Sequence, residues 1–141
     1  EGSDYFALES NWQSQSVYFT GPDGLILELI GRKRLPASTH AGAFHGSELT
    51  CLSEVGLPSA DVDAVRAEAS ARFGLQPLSP PSSHFAPMGD DEGLLIVVAA
   101  DRRWFPGQKD LPNAQGLLLR VGDVQGSGEL SDAAQGWRVV A

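Results

Sequence analysis

Helical periodicity occurs once in this chain. Val62, Val65, Ala69 and Phe73 recur at the spacing of one buried helix face. Pro58-Ser59-Ala60-Asp61 opens that stretch, with Ser59 or Asp61 placed to cap its first turn. Gly74 closes it, the residue type that takes a left-handed C-cap without steric cost. The other apolar segments are short, rich in β-branched and aromatic residues, and punctuated by 16 glycines and 9 prolines. Sheet must therefore carry most of the fold, and the class expected is α+β.

The clearest sheet signal is a hairpin. Val17-Tyr18-Phe19-Thr20 reads as a strand and residues 25–30 as its return. Between them, Gly21-Pro22-Asp23-Gly24 is a turn in which Pro fixes φ, Asp caps the bend and Gly supplies positive φ. Tyr5-Phe6-Ala7-Leu8 forms a short apolar stretch before it. Residues 35–49 lose periodicity and gather Pro36, Gly42 and Gly46, the composition of a linker. A second unit over residues 50–141 then reads β-α-β-β-β, with strands at 50–57, 84–89, 94–100, 117–124 and 137–140.

At 141 residues the chain has a net charge of -8, which speaks against a polyanion-binding surface because such affinity rests on Lys and Arg. The only basic cluster, Arg32-Lys33-Arg34, is expected to end a strand with solvated charge, so no nucleic-acid partner is expected. No apolar run approaches the ~20 residues of a membrane-spanning helix, so no membrane partner is expected either. Cys51 is alone, which rules out an intramolecular disulfide and suggests a reducing cytoplasm. Between Leu49 and Leu52 it is expected to be a buried, inert thiol.

The hairpin with Pro22-Asp23-Gly24 and Glu28 four residues on, followed by Leu52-Ser53-Glu54-Val55-Gly56-Leu57-Pro58, Asp61, Phe73-Gly74-Leu75 and Trp104-Phe105-Pro106, resembles the vicinal oxygen chelate superfamily of glyoxalases, bleomycin-resistance proteins and extradiol dioxygenases. That resemblance implies βαβββ modules curling into a glyoxalase-like half-barrel of mixed or antiparallel sheet. Residues 1–34 would then be the C-terminal part of one module and residues 50–141 a second. It also implies a divalent metal (Fe, Mn, Zn or Ni) that acts as a Lewis acid on a substrate with two adjacent oxygens. The candidate ligands are Glu28 and Glu54; Glu54 stands where the family often has a histidine. The second unit lacks a Pro-Asp-Gly ending of its own and carries Arg120 and Arg138 on its last strands.

Each candidate has a plainer reading. An unpaired carboxylate is costly to bury between Leu27 and Leu29, and a metal would offset that cost. Strand alternation could instead turn Glu28 to solvent, and Glu54 could pair with an arginine or cap an edge. His84, Trp104 and Phe105 are candidates to line a substrate cavity, or to be an edge histidine and a packed aromatic corner. His40 and His45 read as surface residues, and Asp90-Asp91-Glu92 as a solvated turn. Three functions follow: a metal-dependent enzyme on a small oxygen-chelating substrate, a metal-free small-molecule binder, or a structural dimerisation unit. Sheet edges in the first unit call for a homodimer or an additional N-terminal segment to cover them.

Overall fold

The computed structural model describes residues 4–22 and 24–141. It is α+β, with one α-helix and three small sheets among those residues. The chain divides into two units, with the boundary between Ser53 and Glu54.

In the first unit, β1 (Tyr5–Leu8), β2 (Ser14–Thr20) and β3 (Ile26–Arg32) form an antiparallel sheet in the order β1-β2-β3. The hairpin expected from sequence is its β2-β3 pair, in which Tyr18 lies opposite Glu28 and Thr20 opposite Ile26. Gly24 has φ +75°, as the turn requires. Asp23, expected to cap the bend, lies outside the described residues. Alternation sorts the side chains. Phe6, Ser16, Tyr18, Ile26, Glu28 and Ile30 share one side, where Ser14 and Ser16 are buried and the Phe6 and Tyr18 rings meet edge to face at 5.6 Å. Tyr5, Val17, Phe19 and Leu27 share the other side and stay 39–52% exposed.

The basic cluster corrects one expectation. Arg32 Nη1 donates to the Trp12 carbonyl (3.3 Å) with its Cζ 5.6 Å from the Trp12 ring. Lys33 pairs with Glu9 (2.6 Å), and Arg34 Nη2 donates to the Asn11 carbonyl (2.8 Å). These side chains tie residues 9–12 to the end of β3 instead of merely carrying solvated charge. Cys51 is a second correction: its thiol is exposed and outside any strand. Strand pairing begins only at Glu54, where Leu94 supplies the partner, and Leu52 before it is 78% exposed.

In the second unit, β4 (Glu54–Ser59), α1 (Val62–Phe73), β5 (Phe85–Gly89) and β6 (Leu94–Ala99) come first. β6 is central: β4 pairs with it in parallel and β5 antiparallel, giving the order β4-β6-β5. Five of its six residues are buried, which matches the continuous apolar run Leu94-Leu95-Ile96-Val97-Val98. Asp61 caps α1, its Oδ1 accepting from Ala64 N at 2.9 Å, and Gly74 ends it with φ +72°. Ser59, the other expected cap, turns its Oγ to Asp61 N instead (3.1 Å). Val62, Val65, Ala69 and Phe73 are the buried residues of the helix, the stripe expected from spacing.

A third sheet follows, built from β7 (Leu118–Arg120), β8 (Glu129–Asp132) and β9 (Trp137–Val140) in the order β7-β9-β8. It departs from the expected β-α-β-β-β order, because β8 is an additional strand and β7 is shorter than residues 117–124. The apolar core joins this sheet to the helix and to β4-β6-β5: Trp137, Val139 and Leu130 pack with Phe73, Leu57 and Val97. Trp137 is fully buried, and its Nε1 donates to the Pro58 carbonyl at 2.7 Å. On the outer side, Arg138 forks onto Glu129 (Nε–Oε1 3.1 Å, Nη2–Oε2 2.6 Å). The hydrogen bond from Arg138 holds the Glu129 carboxyl below its ordinary range, so this pair weakens as pH falls through that lowered value. No helix among the described residues is long and apolar enough to cross a membrane.

Candidate ligand-binding face

The β4-β6-β5 sheet has two unlike faces, set by the two-residue period of a strand. Val55 and Leu57 on β4, Leu95 and Val97 on β6, and Ala86 and Met88 on β5 belong to the core that packs with the helix. The alternate residues point the other way: Glu54, Gly56 and Pro58, then Leu94, Ile96 and Val98, then Phe85 and Pro87.

This second face carries the feature that shapes the site. A Cβ built on Gly56 would stand 2.5 Å from Cζ2 and Cη2 of Trp104. The indole of Trp104 therefore lies directly on the backbone of β4, in space that only a glycine leaves free. Trp104 comes from the loop after β6, and two backbone bonds hold it there: Trp104 N to the Asp110 carbonyl (2.9 Å) and Gln108 N to the Trp104 carbonyl (2.8 Å). Two residues earlier, the Arg102 guanidinium lies over the Phe85 ring, with Cζ 4.8 Å from the centroid. Arg103, between them, turns aside and donates to the Lys109 carbonyl. The segment thus presents Arg102 and Trp104 together, one over β5 and one over β4.

Of the residues expected to line a cavity, Trp104 stands on this face and Phe105 beside it remains 39% exposed. His84 is elsewhere. It is exposed, its Nδ1 lies 3.0 Å from Ser83 Oγ, and its carbonyl accepts from Ala99 N at the end of the sheet opposite Glu54. The strand rise puts that end about 16 Å from the Glu54 end along the strands. His84 and Glu54 do not share a site.

Glu54, half-buried, opens β4 opposite Leu94, on the same face as Gly56 and its covering indole. Glu28 belongs to the first unit, half-buried between Ile26 and Ile30 and level with Tyr18. Arg32, on the same side of β3, is engaged at Trp12. No three His, Cys, Asp or Glu side chains converge among the described residues, so these donors by themselves do not fit the divalent ion that the resemblance implies. His45 caps a short 3₁₀ turn (Gly46–Glu48), accepting from Ser47 N, and His40 Nε2 lies 3.2 Å from the Ala43 carbonyl. Asp90 Oδ1 closes its own turn by accepting from Glu92 N (2.9 Å) and Gly93 N (3.3 Å). A cleft of about 230 Å³ at the C-terminal end of α1 is lined by Gly74, Gln76, Asp90 and Asp123, among others. It holds none of the candidate residues.

Sequence reasoning passed over Gly56 and Arg102. A glycine inside an apolar strand marks close approach by another group, and that signal was present; Arg102 lies in a stretch that reads as a loop, where no periodicity points to it. Comparison of the chain with family models, with curated proteins and with solved structures finds no match.

Proposed function

We propose that this chain binds a small, flat, largely apolar molecule on the helix-free face of the β4-β6-β5 sheet, in the manner of the metal-free bleomycin-resistance branch of the vicinal oxygen chelate superfamily. One observation carries this reading: the Trp104 indole laid over Gly56. An aromatic wall on a loop beside a strand that has given up its side chain is how a fold presents a rigid stacking surface at low entropic cost. The half-buried Phe85 ring on β5 continues that surface above the buried Ile96 and Val98, and Glu54 supplies a polar end.

A panel of small aromatic and hydrophobic compounds screened by thermal shift tests it. A ligand at one hundred times its Kd adds about 2.7 kcal/mol, a rise of several degrees in Tm. Trp104→Ala removes that rise while the ligand-free protein still melts cooperatively. A shift of equal size in Trp104→Ala, or a panel that moves nothing, would defeat the proposal.

A second reading, a metal-dependent enzyme of glyoxalase or dioxygenase type, rests on Glu28. It is half-buried opposite Tyr18, and Arg32 on the same side of β3 donates to the Trp12 carbonyl. On that reading Glu28 would be one ligand to the metal, with the remaining donors drawn from outside the described residues or from a partner copy. Elemental analysis of protein purified without chelators decides between the two: stoichiometric metal that disappears in Glu28→Ala supports the enzyme. Metal-free protein, with Glu28→Ala unchanged in melting temperature, leaves the binding reading alone. The expected homodimer would pack on the exposed side of the first sheet, at Tyr5, Val17, Phe19 and Leu27.

A further inference from the structure

We infer that Arg102 is the anion anchor of this face, so that its ligands are carboxylates with a planar apolar body lying along Trp104. This rests on the binding reading and names the ligand class. The half-buried guanidinium is held 4.8 Å above the Phe85 ring, and no hydrogen bond or ion pair joins it to another described residue. Elsewhere in the same unit Arg66 pairs with Asp63, Arg72 with Glu68 and Arg138 with Glu129, while Arg103 donates to a backbone carbonyl; Arg102 differs from all of these in being seated on an aromatic ring. Stacking on an aromatic ring satisfies the π face of a guanidinium and leaves its N–H edge, the part that forks onto a carboxylate, unused. Contact with the ring also restricts the guanidinium before any ligand arrives, so less entropy is lost on binding.

Position matches chemistry. Phe85 pairs with Val98 on β6, and Gly56 pairs with Ile96, two residues away along the same central strand. Strand spacing and rise place the Phe85 and Gly56 backbones about 12 Å apart across the face, the span of a bicyclic ring system with its carboxylate. In a chain of net charge -8, the general surface repels anions, so affinity for one requires a placed cation. Glu54 stands at the corner of the sheet diagonal to Phe85 and does not neutralise Arg102.

The experiment compares 2-naphthoate with its neutral counterpart 2-naphthamide, by calorimetry and by quenching of tryptophan fluorescence, on the wild-type chain, Arg102→Gln, Arg102→Lys and Trp104→Phe. The expected result is naphthoate binding at least roughly ten-fold tighter than naphthamide. Arg102→Gln erases that preference by weakening naphthoate far more than naphthamide; Arg102→Lys keeps part of it. The preference also declines as salt is raised. Binding of both probes with equal affinity, or a preference that survives in Arg102→Gln, overturns the anchor but leaves the binding face standing. Binding of neither probe overturns both. Thermal melts of the Arg102 variants within a few degrees of wild type show that a lost preference is not a lost fold.

Discussion

Trp137→Ala lowers the stability of the second unit by about 3–5 kcal/mol, the cost of emptying a fully buried aromatic site, and lowers its melting temperature by roughly 12 °C or more. Two losses combine. The indole fills the junction between β9, α1 and β4, where Phe73, Leu57 and Val139 close around it. Its Nε1–H also satisfies the carbonyl of Pro58, a residue that is itself fully buried. Trp137→Phe separates the two. It keeps most of the volume and leaves that carbonyl without a donor, for an expected cost of about 1–3 kcal/mol. Far-UV circular dichroism melts and urea titrations measure both variants. A Trp137→Ala protein that melts within three degrees of wild type would show that the two sheets do not depend on this residue.

Gly56→Val has its largest effect on binding. Its Cβ would overlap two ring atoms of Trp104 at 2.5 Å, so the indole must leave the strand. Trp104 sits on a loop and can swing outward, so the expected stability cost is limited to about 1–3 kcal/mol. The stacking wall is nevertheless gone, and ligand-induced stabilisation should vanish as completely as in Trp104→Ala. A double-mutant cycle makes the mechanism specific. In a Trp104→Ala background the valine has nothing to displace and suits a strand, so Gly56→Val should there be neutral or stabilising. Equal destabilisation in both backgrounds would mean that the clash lies elsewhere. Tryptophan emission supplies a second readout, since an indole expelled into water shifts to longer wavelength.

The parts of this fold that sequence expressed are those governed by local rules. The Val62-Val65-Ala69-Phe73 stripe and its Gly74 terminator arise from a repeat of 3.6 residues and a left-handed cap. The Gly21–Gly24 turn and the apolar run of β6 are equally local. The α+β class followed from one helix among many short strands. β8 was not legible, because Glu129-Leu130-Ser131-Asp132 holds a single apolar residue and becomes a strand by pairing with β9. Cys51 and Leu52 misled for the converse reason: apolar neighbours suggested a strand where no partner strand reaches them.

The candidate site divides along the same line. Sequence picked out Trp104 and the carboxylates Glu28 and Glu54 as residues that needed explaining, from chemical type and resemblance alone. It also determined that the chain is acidic, has one cysteine and has one helix. Only the tertiary structure decided that Trp104 rests on Gly56, that Arg102 faces Phe85 without a carboxylate, and that His84 stands at the far end of the sheet from Glu54. The reason is one of range. Caps, turns and alternation are settled by residues a few places apart, whereas the sharing of a face by residues 56 and 104 depends on parallel pairing of β4 with β6, which no local pattern encodes.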